Sequence, residues 1–186
     1  DQKERECTAL IETLSRGTDA KIILHNFAVP TYSPLGILEN KQRLGVIELI
    51  QTLNAHMRDR YRDNPRVFVF DYDAFCARIG KERVADPKMY YLGDLKLDFR
   101  NFHRLSHEYL AYLKPIANRS KKCLVLDLDN TLWGGVLGEE GPGRIKIGHT
   151  PEGKPFLEFQ THLLALFNRG VILAINSKNN RDEVLE

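Results

Sequence analysis

The chain has 186 residues, enough for one or two domains, and its 42% hydrophobic and 28% charged residues permit a sizeable core and argue against wholesale disorder. Its 27 Lys and Arg nearly cancel 25 Asp and Glu, leaving a formal charge of +2, so bulk attraction to nucleic acid is not expected and any anion must be gripped locally. Cys7, Cys76 and Cys123 form neither a CxxC pair nor a disulfide ladder, no apolar run approaches the ~20 residues that span a bilayer, and residues 1 to 6 are mostly charged, so a reducing, cytoplasmic setting without a membrane is expected.

Residues 2 to 16 place Leu10, Ile11 and Leu14 on one helical stripe that stops before Gly17. Residues 21 to 25 read as a buried strand, and the prolines and glycine of residues 28 to 36 as a loop. From about Ile37 to Arg60, the positions Val46, Ile47, Ile50, Leu53 and Met57 recur every three or four residues, which predicts the core face of a long amphipathic helix. Arg66 to Phe70 is the next strand; a helical turn over residues 74 to 79, an irregular aromatic stretch at residues 89 to 91 and a helix over residues 103 to 113 follow. This alternation is that of a parallel sheet covered on its faces by helices. The first domain is expected over residues 1 to 115, with a polar, basic linker at residues 116 to 121.

A second βα series occupies residues 122 to 186, opening with a strand at Cys123 to Asp127. Gly134, Gly135, Gly138, Gly141, Gly143, Gly148 and Gly153, seven of the 13 glycines, predict a sharply bending flap outside the core. A helix at about Phe156 to Asn168, a strand at residues 171 to 175 and a helix from about Asn179 complete the series. The chain stops inside that helix with only two strands in this domain, where an open α/β sheet needs ~4 to 6, so a domain truncated at its C-terminus is expected, and the first domain is expected to be partial.

The chemistry concentrates where the apolar run Cys123-Leu-Val-Leu ends in Asp127 and Asp129, at the carboxyl end of a strand where α/β sheets place their ligands. Once the chain leaves the strand, one carboxylate can attack an electrophile while the other handles a proton. Two such acids repel unless a cation sits between them, and Mg²⁺, a hard ion that accompanies phosphate, suits carboxylate and carbonyl oxygens. Thr131 adds a hydroxyl and a backbone NH, and Ser177, at the tip of the next predicted strand, is expected to form an anion cradle with the start of the following helix.

Asp71-Tyr-Asp73 repeats the spacing without a Thr or a flap, so helix capping is the better account. Lys178 adjoins Ser177 and points elsewhere when Ser177 faces phosphate, so a solvated or substrate-edge lysine is expected. Cys123 lies ~13 Å from Asp127 at ~3.3 Å per residue and is expected to be a buried structural thiol. His103 and His107 are expected on the surface, and Trp133 is expected to pack the flap against the sheet or to shape the substrate entrance.

Asp127-Leu-Asp129-Asn-Thr131 after an apolar strand, then a glycine-rich flap and a strand-tip Ser177, resembles motifs I and II of the haloacid dehalogenase (HAD) superfamily. The longer run from Lys122 to Gly141, with Phe159-Gln160 and Ser177-Lys-Asn-Asn180, is similar to the FkbH-like family of polyketide assembly lines, closely over about residues 119 to 186 and loosely before. The resemblance implies an SGNH-hydrolase-like three-layer α/β domain followed by a Rossmann-like HAD domain. It implies dephosphorylation of an acyl phosphate, 1,3-bisphosphoglycerate, and transfer of the glyceryl unit to an acyl carrier protein. Asp127 would then be the nucleophile and a magnesium ligand; Asp129 the general acid and base, its main-chain carbonyl also on the metal; and Thr131 and Ser177 the phosphoryl grips. The alternative is a plain HAD phosphatase attached to an inactive SGNH-like docking domain, since no Gly-Asp-Ser-Leu segment is present and the spacing of Asp98 and His103 does not fit a triad. The family's third-motif lysine and fourth-motif acids fall after Glu186, so poor turnover is expected of these 186 residues alone.

Overall fold

The computed structural model describes residues 2–185. Two compact units divide the chain, Asp1–Ala117 and Asn118–Glu186. The first runs α1 (Gln2–Gly17), β1 (Ile22–His25), a 3-10 turn (Gly36–Lys41), α2 (Val46–Tyr61), β2 (Val67–Phe70), α3 (Tyr72–Ile79), α4 (Pro87–Gly93) and α5 (Phe102–Ile116).

Strands β1 and β2 are parallel, with Ile22 opposite Val67 and His25 opposite Phe70. Alternation along a strand sends successive side chains to opposite faces. Ile22, Leu24, Val67 and Val69 accordingly pack with Ile11 of α1 and Tyr61 of α2. Ile23 and Phe70 meet Phe75 and Cys76 of α3 and Leu105 and Tyr112 of α5 on the other side. Helices therefore cover both faces of this sheet, as the predicted α/β class requires.

Several sequence expectations shift here. Helix α2 begins at Val46 rather than near Ile37, because Leu44 adopts φ 61° and Glu39 ties the preceding turn down. The buried Glu39 carboxylate accepts hydrogen bonds from Ser33 Oγ at 2.5 Å and Ile47 N at 2.8 Å, a cap eight residues away that no local pattern encodes. A Cβ on Gly45 would lie 2.9 Å from the Glu39 carbonyl oxygen, a backbone atom, so glycine suits this approach. Val46 is half exposed, and Leu10 and Leu14 face solvent while Ile11 alone of its stripe is buried. The irregular stretch near Met89 is helix α4, capped by Asp86 accepting from Lys88 N and Met89 N, with Pro87 in its first turn. Helix α5 runs to Ile116, further than the expected end at residue 113, and carries Pro115 in its last turn.

The second unit contains β3 (Cys123–Leu126), α6 (Leu137–Glu140), α7 (Lys154–Asn168), β4 (Ile172–Ile175) and α8 (Arg181–Leu185). β3 and β4 are parallel, Leu126 opposite Ile175, and Leu126, Leu128 and Leu163 of α7 are buried. The flap is less irregular than expected: Gly134 and Lys146 exchange backbone hydrogen bonds of 3.0 and 2.8 Å, and Leu137 of α6 is buried. A Cβ on Gly134 would sit 2.8 Å from the Phe156 ring, which explains glycine at that crossing. Cys123 is exposed rather than buried, because strand alternation puts it on the face shared with the exposed Val125. Among the described residues no helix is long and apolar enough to cross a membrane.

Candidate active site

The β3 ladder ends at Leu126, whose carbonyl accepts from Asn176 N at 2.8 Å. Asp127 and Ser177 thus leave adjacent parallel strands at their carboxyl ends, the edge where backbone turns away and side chains face a ligand. Asp127 is exposed, and its Oδ1 accepts from Leu128 N at 2.8 Å. Leu128 is buried and fixes the turn: its carbonyl accepts from Thr131 N at 3.1 Å and Leu132 N at 2.8 Å. Asn130 takes a left-handed φ of 53° while its Oδ1 accepts from Gly135 N at 3.0 Å. Gln160, reaching from α7, donates Nε2 to the Leu132 carbonyl at 2.7 Å.

Asp129 is half-buried, and its Oδ1 accepts three hydrogen bonds: from Trp133 Nε1 at 3.0 Å, Leu137 N at 3.1 Å and Asn179 Nδ2 at 3.0 Å. Partial desolvation pushes its pKa up, but the donors from Asn179, Leu137 and Trp133 outweigh it and hold the carboxyl below the ordinary carboxylate range. Thr131 is half-buried in the same turn, and its hydroxyl has no hydrogen-bond partner among the described residues. Ser177 is also half-buried, its Oγ accepting from Asn179 N at 3.3 Å. Asp127, Asp129 and Thr131 therefore share one turn, and Asn179 ties the Ser177 loop to it.

The expected cradle at Ser177 differs in detail. Helix α8 starts at Arg181, four residues beyond Ser177, and Asn180 Oδ1 accepts from Asp182 N instead. Ser177 therefore closes a tight turn of its own, with Lys178 exposed beside it.

The two Asp-x-Asp pairs differ sharply in what they have left to offer. Asp71 Oδ1 accepts from Ala74 N at 3.0 Å, capping α3, and from Asn26 Nδ2 at 2.9 Å. Asp73 Oδ1 accepts from Val29 N and Lys81 Nζ, each at 2.6 Å. Neither Asp127 nor Asp129 is paired with a cationic side chain among the described residues. Two like charges held close without a counter-charge suit a cation with oxygen ligands. No group of three His, Cys, Asp or Glu side chains that could hold a metal is present among the described residues.

Elsewhere in the first unit, Asn26 is buried, and its Nδ2 donates to Asp71 Oδ1 at 2.9 Å. A cavity of about 450 Å³ in this unit is lined by Val29, Pro30, Tyr32, Tyr72, Lys81 and Val84. His103 and His107 are exposed. The buried Asp98 binds Arg100, whose hydrogen bonds hold its carboxyl low, so this segment is structural.

Sequence reasoning passed over the roles of Asn179, Trp133 and Gln160. Each lies in the run that carries the family resemblance, but side-chain amide and indole donors have no spacing rule that names an acceptor four, 28 or 50 residues away.

The chain is similar to a crystal structure of the N-terminal part of the protein BF1531 from Bacteroides fragilis, containing a phosphatase domain and complexed with Mg, with a TM-score of 0.83 and 28% identity. The match covers 97% of this chain and 48% of that one, so the chain spans about half the length of that structure. No protein-family model and no curated protein matches the sequence.

Proposed function

We propose that this chain carries the nucleophile turn of a magnesium-dependent phosphatase of HAD type. The observation that carries the reading is the pair Asp127 and Asp129 at the carboxyl end of β3, without a cationic partner among the described residues and with the Ser177 loop drawn to them by Asn179. The likeness to a phosphatase domain complexed with Mg supports it. Asp127 through its carboxylate and Asp129 through its main-chain carbonyl would hold the ion. When bound, magnesium supplies charge neutralisation on the phosphoryl oxygens.

The chain's own residues do the rest. Asp127 attacks phosphorus, an Asp127–O–P bond forms, and the bond from phosphorus to the leaving oxygen breaks with its electron pair on that oxygen. Asp129 gives the leaving oxygen a proton. Water then attacks phosphorus, Asp129 takes its proton, and the Asp127–O–P bond breaks to release inorganic phosphate. Thr131 and Ser177 hold the phosphoryl oxygens through both steps.

The finer reading, taken from the FkbH resemblance, is that the substrate is 1,3-bisphosphoglycerate and the partner an acyl carrier protein. Hydrolysis of the C3 ester through Asp127, and attack of the carrier thiolate on the acyl carbon with loss of the acyl phosphate as inorganic phosphate, give a glyceryl thioester and two phosphates. The alternative reading is a plain HAD phosphatase whose first unit is an inactive SGNH-like docking domain, in which Asp71 and Asp73 already serve as structural acceptors.

The test incubates the full-length protein with magnesium, 1,3-bisphosphoglycerate and phosphopantetheinylated carrier. A one-glyceryl mass gain on the carrier supports the finer reading, and free phosphate without carrier loading leaves the plain phosphatase. Full activity of the Asp127→Asn variant would overturn both.

A further inference from the structure

We propose that Asp129 handles its proton through Oδ2 alone, and that Asn179 and Trp133 are positioning residues that aim that oxygen. The inference rests on the phosphatase reading above. A carboxylate oxygen offers about two lone-pair sites. Oδ1 of Asp129 already accepts from Trp133 Nε1, Leu137 N and Asn179 Nδ2 at 3.0, 3.1 and 3.0 Å, so it is saturated. Oδ2 has no hydrogen-bond partner among the described residues.

The three donors arrive from three segments: the turn after β3, the start of α6 and the loop after β4. A terminal carboxylate torsion is otherwise broad and soft. Pinning one oxygen from three directions fixes the plane and leaves the other oxygen facing the reacting atoms. The donors are themselves anchored. Trp133 is half-buried and follows Leu132, whose carbonyl accepts from Gln160 Nε2 at 2.7 Å, so α7 holds the turn that carries the indole. Asn179 donates its backbone NH to Ser177 Oγ, so a single short loop carries a phosphoryl grip and the Asp129 clamp. Leu137 N remains as a donor when either side chain is removed, so single variants loosen the carboxylate without freeing it.

The reaction sequence makes this testable. A leaving group stable as an anion departs from phosphorus without the proton of Oδ2, whereas an alkoxide needs it. The attack of water in the second step needs Oδ2 whatever the first leaving group was.

The full-length protein with magnesium is assayed as wild type, Asn179→Ala and Trp133→Phe on p-nitrophenyl phosphate and on glycerol 3-phosphate. With p-nitrophenyl phosphate, kcat of each variant falls about tenfold and KM falls with it, so that kcat/KM changes less than about threefold, a small part of the ~10²–10⁴ that general acid–base catalysis supplies. Phospho-Asp127 accumulates in acid-quenched mass spectra, and on glycerol 3-phosphate kcat/KM falls about tenfold. Equal losses of kcat/KM on both probes without phospho-enzyme, or unchanged partitioning in both variants, would overturn the clamp. If wild type forms phospho-Asp127 and the variants partition like it, the clamp alone fails. If wild type forms none and Asp127→Asn keeps full turnover, the phosphatase reading fails and the clamp with it.

Discussion

Gln160 links α7 to the turn that carries Asp129 and Thr131 through a single hydrogen bond, Nε2 to the Leu132 carbonyl at 2.7 Å. Methionine in its place keeps the side-chain length and removes the donor. The half-buried Leu132 carbonyl then loses its partner, a cost of about 1 kcal/mol. For a unit the size of Asn118–Glu186, that lowers the unfolding midpoint by about 4–8 °C. Glutamate is the sharper probe. At pH 7 its carboxylate faces the carbonyl oxygen, and the added unsatisfied acceptor brings the loss to about 2–3 kcal/mol. Protonated, the same side chain donates, so the Gln160→Glu variant gains stability as pH falls through its pKa while Gln160→Met does not. Trp133, the sole tryptophan, lies beside Leu132 and reports this unit by fluorescence, whereas all seven tyrosines (Tyr32, Tyr61, Tyr72, Tyr90, Tyr91, Tyr109 and Tyr112) belong to the other. Equal midpoints for the two variants at pH 7, or a Gln160→Met shift below about 1 °C against the ~4–8 °C expected, would show that this hydrogen bond does not hold the turn.

Other outcomes follow from particular contacts. Asn54 is buried and both accepts from Phe27 N at 2.9 Å and donates to Phe27 O at 2.7 Å, standing in for a strand beyond β1. Asn54→Ala is expected to cost about 2–4 kcal/mol by tyrosine-monitored denaturation, with hydrogen exchange at the Phe27 amide rising in step. Burial among Phe70, Tyr72 and Tyr109 lowers the pKa of His25, so the folded state binds its proton less readily than the unfolded chain. Stability from this residue is present above the ordinary value of 6.5 and declines as pH falls below it, and a His25→Phe variant should flatten the decline between pH 7.5 and pH 5.5 in the tyrosine-detected midpoint. A Cβ on Gly153 would lie 2.6 Å from the Ile147 carbonyl carbon and 2.9 Å from Gly148 N, both backbone. Gly153→Ala should therefore cost about 1–3 kcal/mol, read from Trp133 fluorescence, and an unchanged midpoint would show that the flap yields freely.

Much of the architecture is legible in the pattern of side chains because it arises locally. The apolar runs that became β1 to β4 stop at turn-forming residues, and the period of Leu53 and Met57 matches the buried face of α2. Asp86-Pro87 was an equally local helix start that the aromatic character of Met89-Tyr-Tyr91 obscured. What escaped was set at a distance. The start of α2 depends on Glu39 reaching Ile47, and the order of the flap depends on Leu137 being buried and on Gly134 meeting Lys146.

The same division runs through the candidate site. The chain order of apolar strand, Asp127, Asp129, Thr131, flap and Ser177 belongs to the sequence, because a strand end and a following turn are specified by neighbours. Which Asp-x-Asp pair stays free of structural duty, and which oxygen of Asp129 is left open, were decided only on folding. Asn26, Val29 and Lys81 come to Asp71 and Asp73 from 8 to 45 residues away, while Asn179 reaches Asp129 across 50. A hydrogen bond is fixed by direction and distance in space, and spacing along a chain carries neither until the backbone has closed.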